Sequence, residues 1–352
     1  MLLGKDLQIY VKTTETCNLN CSHCFTSGSQ GKKIFFNPSK TLNFLEVLSR
    51  ENGLNSLRLV LHGGEPLLAP IEDLKYFYKK AKALPLNVNF AIQTNLAFDL
   101  TEEMNKFIDE AFLNEGIGTS WDADIRFPSE KKLMQWENNV KDLISRGHQI
   151  SVMVCLSRHL IENYTPLELI NYFSNLGIQN IVFERITQNG HAAENLEIFP
   201  SNLKLDAWLF DMHDQTIKHE LHKKINNILL DEILKSLFEN RQVGNRCRNC
   251  EQHLITINAD GTLAGCPNSA ALENWGHISN STDQFLTSKE RVGAICNEKT
   301  RNPICLSCEV KDVCNGDCYK LPWQDDICAA PKSLMKNLLA KGYSKESEQL
   351  LL

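Results

Sequence analysis

The chain has 352 residues, enough for one large domain plus a smaller one or for two to three ordinary domains. Its residues are 42% hydrophobic and 23% charged, a composition typical of a soluble globular protein. The net charge of -6 and the absence of a basic run argue against nucleic acid as a partner. No apolar run approaches the ~18 residues of a membrane span, and the N-terminus lacks the pattern of a signal peptide. We therefore predict a cytoplasmic protein with no membrane partner.

Strands and helices alternate from Leu7 to Glu184 in the predicted secondary structure. Strands are predicted at 7–13, 57–61, 87–93, 116–121, 149–157 and 180–184, and helices at 41–50, 71–83, from 101, 129–146 and 166–175. Six strands alternating with five helices favour an α/β fold, a parallel sheet with crossover helices. The sheet could be open and doubly wound, or closed as a barrel, but six units are too few for an eightfold barrel.

Beyond the sixth strand the pattern changes. Apolar residues at helical spacing predict one or two bridging helices between 203 and 238. A cysteine-rich segment follows, in which Asn258 to Gly261 predicts a hairpin between strands at 254–257 and 262–264. We predict a barrel-type domain at 1–200, bridging helices at 201–241, a small cysteine-rich α+β domain at 242–331 and a C-terminal helix at 332–352.

Thirteen cysteines are unusual in a cytosolic chain of this size. Disulfides are disfavoured in the cytosol, and buried free thiols would be scattered along the chain, as Cys155 is. Most of the others cluster near the two ends with short gaps between them. Such clustering is typical of metal ligation.

Cys17, Cys21 and Cys24 offer three thiolates within one loop. Structural zinc takes four ligands, whereas a [4Fe–4S] cluster held by three cysteines keeps one iron open. A redox or zinc CxxC with a bystander cysteine is the alternative. The Cx3CxxC spacing resembles that of radical S-adenosylmethionine (SAM) enzymes. The resemblance implies a partial (β/α)6 barrel in which the open iron binds SAM, whose reductive cleavage yields a 5′-deoxyadenosyl radical.

The second strand ends in Gly63-Gly64-Glu65-Pro66. Two glycines allow positive φ and close approach to a ligand, exposed carbonyls can accept hydrogen bonds from an ammonium group, and Glu65 adds negative charge. This GGEP sequence resembles the radical SAM motif that holds the methionine amino group of SAM. An ordinary tight turn is the alternative.

The same resemblance implies that Asn95 and Ser120 meet the ribose and carboxylate of SAM, and that the backbone at Phe25 contacts adenine. A helix cap or turn is the alternative for each polar residue, and a core position is the alternative for the Phe25 ring. Family members often have Ser-Leu-Asp-Gly after strand four, where this chain has Ser120-Trp121-Asp122-Ala123. We therefore expect Trp121 to change the loop and the substrate wall.

Eight cysteines of the C-terminal part form two sets of four, which suit either electron-transfer clusters or zinc. Their spacing closely resembles the SPASM domain of peptide-modifying radical SAM enzymes, which implies two auxiliary [4Fe–4S] clusters and three clusters in all. The resemblance implies a first set of Cys250, Cys266 and Cys318 with Cys247 as the fourth ligand, and a second set of Cys305, Cys308, Cys314 and Cys328. Cys296 is a spare that could replace Cys247.

Two pairs of charges fall at strand ends. Glu184 and Arg185 follow each other in the sixth strand, so one of them should point inward. An inward charge is either a paired structural ion or a substrate contact, and Asp122 and Arg126 present the same choice.

The SPASM resemblance implies a peptide substrate, and auxiliary clusters imply a net oxidation. HCFTSG and SWDADIR resemble maturases that form cyclophane-type C–C crosslinks in ribosomal peptides. The alternatives are a thioether-forming or sulfatase-maturing radical SAM enzyme, or a non-catalytic zinc-stabilised binding protein. We expect an external electron donor such as flavodoxin or ferredoxin. Because the chain starts almost at strand one, we expect leader binding by another surface or a separate protein.

Overall fold

The computed structural model describes residues 3–26, 28–122, 124–239, 242–269 and 273–342. The strands are β1 (Asp6–Lys12), β2 (Ser56–His62), β3 (Asn87–Gln93), β4 (Gly116–Trp121), β5 (Ile150–Cys155), β6 (Asn180–Glu184), β7 (Asn226–Asn227), β8 (Leu254–Ile257), β9 (Thr262–Ala264) and β10 (Gly276–His277). The helices are α1 (Pro38–Asn52), α2 (Ile71–Lys82), α3 (Glu102–Phe112), α4 (Glu130–Ser145), α5 (Arg158–Asn163), α6 (Pro166–Asn175), α7 (Asn202–Lys218), α8 (Ile228–Phe238), α9 (Cys250–His253), α10 (Thr282–Leu286), α11 (Lys289–Lys299), α12 (Pro303–Leu306), α13 (Lys311–Cys314) and α14 (Lys332–Lys341).

One sheet contains every described strand, in the order β10-β9-β8-β1-β2-β3-β4-β5-β6-β7. Neighbours from β1 to β7 are parallel, and β8 also pairs in parallel with β1. The predicted hairpin is present, because β9 runs antiparallel to β8. The sheet therefore continues from the predicted barrel domain into the cysteine-rich part, and the linear strand order leaves the barrel partial.

Side chains alternate between two faces of this sheet. On β2, Leu57, Leu59 and Leu61 are fully buried against the helices, whereas Arg58 and His62 line a cavity on the inner face. The other long strands repeat this division. The hydrophobic core thus lies outside the sheet, and the inner face stays polar enough for chemistry.

Local signals fix several helix ends. Asn37 caps α1 by accepting a hydrogen bond from the backbone of Lys40 at 2.9 Å, and Gly53 ends that helix at a φ of 57°. Thr165 and Glu168 form a capping box at the start of α6. These caps explain why the helices predicted from periodicity begin and end close to the observed bounds.

The structure adds detail that periodicity did not supply. The short helix α5 precedes α6, so β5 and β6 are joined by two helices. Two bridging helices, α7 and α8, are present, and Ser333 at the start of α14 donates a hydrogen bond to Asp206 of α7. Residues 343–352 of the predicted C-terminal helix lie outside the described residues. No helix in the described ranges is both long and apolar enough to cross a bilayer.

Candidate active site and metal centres

A cavity of about 450 Å³ runs along the inner face of the sheet to the carboxyl ends of its strands. Predicted metal ligands from two of the three sets line it. Cys17, Cys21 and Cys24 form one part of its wall, and Cys250, Cys266 and Cys318 form another. Cysteines separated by more than 200 residues therefore face the same space.

The loop after β1 holds the first three cysteines in a fixed arrangement. The backbone of Cys17 donates to the Gly28 carbonyl at 3.1 Å, and that of Cys24 donates to the Cys21 carbonyl at 3.1 Å. The Cys24 thiol lies 3.1 Å from Thr26 Oγ1. Burial raises the pKa of Cys17 to about 12, so its thiol is protonated at neutral pH until a metal ion replaces the proton.

A segment after β6 covers this loop. His191 donates its backbone N–H to the Cys24 carbonyl at 2.8 Å, and Asn195 donates to the Ser22 carbonyl at 3.3 Å. Gly190 has a φ of 55°, and a Cβ there would lie 2.4 Å from the Cys24 carbonyl oxygen. Sequence reasoning missed this cover, for which the Asn189-Gly190 pair was the available turn signal.

The GGEP turn packs directly against the cysteine loop. A Cβ at Gly64 would lie 2.0 Å from the Thr16 carbonyl oxygen, and one at Gly63 would lie 2.4 Å from that of Thr14. Gly64 and Glu65 donate backbone hydrogen bonds to those same carbonyls, at 3.0 and 2.9 Å. These glycines therefore let the GGEP turn pack closely against the backbone before the cysteine loop, in addition to any close approach to a ligand.

Glu65 is completely buried, and its carboxylate does not line the cavity. It accepts hydrogen bonds from Thr94 Oγ1 at 2.7 Å, from the Asn95 backbone at 2.8 Å and from the Leu67 backbone at 3.2 Å. Burial raises the pKa of Glu65 to about 7, against the opposing effect of these donors. Glu65 thus connects the ends of β2 and β3, and its contact with SAM stays a prediction.

The three remaining predicted SAM contacts all line the cavity. The Asn95 side chain donates to Asn18 Oδ1 at 2.7 Å and lies 3.6 Å from the Cys17 sulfur. Ser120 Oγ accepts a hydrogen bond from Gln93 at 2.9 Å, which adds Gln93 to the polar lining. The Phe25 ring is half-buried, 5.6 Å from the ring of His62. Their contacts with SAM stay predictions.

Trp121 does not form the substrate wall, which corrects the expectation from the sequence. It lies on the helix side of the sheet, and its ring packs against Tyr164, Tyr172 and Phe173 at 5.3 to 6.0 Å between centroids. Strand alternation places it there, because its neighbour Ser120 faces the cavity. Ala123 lies outside the described residues.

Asp122 and Arg126 form a structural ion pair at 2.8 Å. Asp122 also accepts the backbone N–H of Cys155 at 2.8 Å, and Arg126 reaches His23 at 3.3 Å. Ligand atoms of His23, Asp122 and Cys155 lie within 4.8 Å of one another, yet the Arg126 guanidinium contacts two of these residues. The positive charge beside these residues is thus the Arg126 guanidinium. The cluster is a charge network that holds Arg126 beside the cavity.

Neighbouring C-terminal thiols influence one another's pKa, and their division into two ligand sets stays a prediction. Within the predicted first set, a hydrogen bond with Cys250 lowers the pKa of Cys247 to about 6. That hydrogen bond, burial and, less strongly, the charge of Cys266 raise the pKa of Cys250. Burial and the charge of Cys318 raise the pKa of Cys266. Within the predicted second set, burial and the charges of Cys328 and Cys308 raise the pKa of Cys305. Burial and the charges of Asp317 and Cys328 raise the pKa of Cys314. Cys296 is exposed on α11, whereas Cys247 is half-buried, and Cys247 stays the predicted fourth ligand of the first set.

The spacing of the thiols discriminates between zinc and iron–sulfur clusters. A tetrahedral zinc ion with Zn–S bonds of about 2.3 Å draws its sulfurs to within ~3.8 Å of one another. Among the described residues, which include all thirteen cysteines, no three sulfurs lie within 4.8 Å of one another. The thiols are therefore not drawn together as a bound zinc ion would draw them.

Arg246 gives independent support for an anionic group near the second set. It is fully buried, and neither terminal nitrogen of its guanidinium has a hydrogen-bond partner, although Glu232 lies 3.9 Å away. Arg246 and Cys314 shift each other's pKa. A cluster held by four thiolates carries net negative charge, which would compensate this buried cation.

No protein-family model matches the chain. An uncharacterised protein of Methanocaldococcus jannaschii, MJ0907, is 24% identical over 300 residues, which cover 82% of this chain and 95% of that protein. A serine-type anaerobic sulfatase-maturating enzyme of Klebsiella aerogenes is 21% identical over 324 residues, which cover 86% of this chain and 76% of the enzyme.

Solved structures share the fold across both parts of the chain. The structure of anSMEcpe with bound AdoMet and a Cp18Cys peptide has a TM-score of 0.77 at 15% identity, covering 98% of this chain and 96% of its own. Streptococcus suis SuiB bound to its precursor peptide SuiA has a TM-score of 0.64 at 14% identity, covering 92% and 76%. The fold predicted from the cysteine motifs, a radical SAM partial barrel with a SPASM-type domain, is confirmed.

Proposed function

We propose that this chain, which has the fold of radical SAM enzymes with a SPASM domain, cleaves SAM reductively and oxidises a ribosomally made peptide. One observation carries the proposal. The three-cysteine loop and the first set of C-terminal cysteines line the same cavity. A site of radical generation and a site of electron transfer would then both face one substrate.

Different residues of this cavity have different roles in the proposed reaction. Cys17, Cys21 and Cys24 would hold the first cluster, and SAM bound there would supply a radical that can take a hydrogen atom from an unactivated carbon. The backbone of Gly63 and Gly64 orients the amino group of SAM. Asn95 and Ser120 fix its polar groups, and Phe25 lies beside its adenine. The segment around His191 limits access of water to the loop.

The eight C-terminal thiols hold two auxiliary clusters without an open iron. Such clusters accept and pass electrons, so the peptide undergoes net oxidation. The proposed cofactors are therefore three [4Fe–4S] clusters and SAM. An external donor such as flavodoxin or ferredoxin supplies the electron for SAM cleavage, in the cytoplasm, where the thiols stay reduced.

The favoured reaction is a side-chain crosslink of the C–C, cyclophane type, in a precursor peptide. The structural likeness to SuiB, whose structure contains a precursor peptide, supports a peptide substrate. The HCFTSG and SWDADIR segments support the crosslink.

A second candidate is maturation of a sulfatase, favoured by the serine-type anaerobic sulfatase-maturating relatives and by the fold of anSMEcpe. Thioether formation is a third oxidative outcome within the same class. The non-catalytic zinc-binding alternative is disfavoured by the wide spacing of the thiols among the described residues.

The test is anaerobic expression with precursor peptides encoded beside the gene, followed by iron, sulfide and mass analysis. A crosslink and oxidation of a serine to an aldehyde both remove two hydrogen atoms, and a hydrazide probe that reacts only with the aldehyde separates them. A colourless, zinc-loaded protein would refute the proposal.

The matched variants are Cys24→Ala and Cys296→Ala. The first should lose 5′-deoxyadenosine release and one cluster's iron while the auxiliary iron stays bound. The second should lose neither, because Cys296 is exposed and outside both sets. Persistent SAM cleavage in Cys24→Ala would show that the loop has another role.

A further inference from the structure

Strand β6 ends in two charged residues whose surroundings differ. The Arg185 guanidinium binds Asp317 through two hydrogen bonds, at 2.8 and 2.9 Å, and also reaches the Ala329 carbonyl at 3.1 Å. Glu184 faces the cavity, and its carboxylate has no hydrogen-bond or salt-bridge partner among the described residues. The sequence left open which of these two charges meets the cavity. The charge of Glu184 faces it without a partner among the described residues, whereas Asp317 neutralises the charge of Arg185.

The other carboxylates of the cavity lining are engaged. Glu251 accepts a hydrogen bond from Tyr319 at 2.6 Å and forms a salt bridge with Lys320 at 3.0 Å. Glu298 accepts the backbone N–H groups of Cys250 and Glu251, at 2.7 and 3.3 Å. Within the described part of the lining, Glu184 is thus the carboxylate available to a bound molecule.

The position of Glu184 in the cavity also suits a contact with a bound peptide. Its strand partner is Cys155 of β5, and Tyr10 of β1 is close enough for Glu184 to raise its pKa. The cavity that Glu184 faces extends to the three-cysteine loop in one direction and to Cys266 and Cys318 in another. A peptide side chain held between the two cysteine sites would meet this carboxylate.

Resting on the proposed function, we propose that Glu184 is the general base, whose carboxylate oxygen accepts the proton that the peptide loses during its oxidation. Removal of two hydrogens from a peptide takes away one hydrogen atom, one electron and one proton. The hydrogen atom would go to the 5′-deoxyadenosyl radical and the electron to an auxiliary [4Fe–4S] cluster of the proposed function, which leaves the proton. Glu184 receives the proton from the O–H, N–H, S–H or C–H group that forms the new bond. The bonding electron pair stays on that atom, and the carboxylate becomes a neutral carboxylic acid.

The charges around Glu184 suit a base that works near neutral pH. Burial, together with the charges of Glu232 and Asp317, raises its pKa to about 7 against the opposing effect of Arg185. Cys155 and Tyr10, the titratable neighbours on β5 and β1, are neutral at that pH because burial raises the pKa of each. The ionised fraction of Glu184, and with it product formation, should rise with pH through about 7.

The experiment compares Glu184→Gln, which keeps the shape and loses the base, with Glu197→Gln, a change at an exposed glutamate beyond β6. Iron content, 5′-deoxyadenosine and modified peptide are measured in the same anaerobic reactions, using the peptide found to be modified in coexpression. Infrared difference spectra of wild type and Glu184→Gln across pH follow protonation of the carboxylate directly, without turnover. Glu184→Asp, tested across pH, keeps the base on a shorter side chain.

We expect Glu184→Gln to retain its iron and its 5′-deoxyadenosine release while modified peptide falls by about 10²-fold or more. Glu197→Gln should match wild type, Glu184→Asp should keep part of the activity, and the carboxylic acid band should titrate near pH 7. Wild-type product from Glu184→Gln, an equal loss of 5′-deoxyadenosine and product, or a carboxylate ionised across the whole range would each overturn the assignment. Absence of 5′-deoxyadenosine from the wild-type protein would instead refute the proposed function.

Discussion

Arg185 and Asp317, separated by 132 residues, form a buried two-point ion pair between the end of β6 and the C-terminal cysteine region. Asp317 lies between Cys314 and Cys318, one from each predicted cluster set. The pair therefore joins the inner wall of the sheet to the loop that connects the two sets.

Removal of one partner should be costly, because it leaves the other charge buried and unpaired. We expect Arg185→Met to lower the free energy of unfolding by roughly 3–5 kcal/mol, measured by denaturant titration. The double variant Arg185→Met/Asp317→Leu should recover much of the loss. Lys204→Met removes an exposed pair with Glu162 and should cost less than about 1 kcal/mol. An equal effect of the buried and exposed changes would contradict this account.

Gly64→Ala should disturb the three-cysteine loop. The added Cβ would lie 2.0 Å from the Thr16 carbonyl oxygen, immediately before Cys17. We expect loss of the iron bound at this loop and a fall of roughly 1–3 kcal/mol in the free energy of unfolding. Gly293→Ala is the matched control, since a Cβ there meets nothing within 4 Å. Full iron content in Gly64→Ala would show that the loop tolerates the displacement.

Arg246→Met should shift the reduction potential of one auxiliary cluster to a more negative value. A positive charge beside a cluster stabilises its reduced, more negative state. Potentiometric titration followed by electron paramagnetic resonance measures the shift. Arg246→Lys should give a smaller shift, and Arg50→Met, an exposed change on α1, should give none. Identical potentials in wild type and Arg246→Met would place the guanidinium away from any cluster.

His62 should make the fold sensitive to acid. Burial, aided by the nearby Lys12 charge, lowers the pKa of His62 to about 3. The unfolded chain therefore binds this proton first as pH falls below about 6.5. Stability should then decline by about 1.4 kcal/mol for each pH unit between 6.5 and 3.

The measurement is the free energy of unfolding at pH 7, 6 and 5. His62→Gln should lack this component of the decline, whereas the exposed change His219→Gln should retain it. Identical pH dependence in His62→Gln and wild type would mean that His62 is protonated as readily in the folded state as in the unfolded one.

The local features of this protein were encoded in its sequence. Three cysteines within one loop must lie close together because the intervening chain is short. The alternation of strands and helices implied parallel pairing, because crossover helices return each strand in the same direction. The hairpin from Asn258 to Gly261 is also a local signal, and all three features are present.

Relations between distant segments required the tertiary structure. Pairing of β8 with β1 brings the two cysteine regions to one cavity, and no residue pattern records which strands will meet at a sheet edge. Alternation along β6 required one charge of Glu184 and Arg185 to point inward. Only the position of Asp317 decided that Arg185 is neutralised and Glu184 stays free, because the partner of a buried charge is fixed by packing rather than by sequence distance.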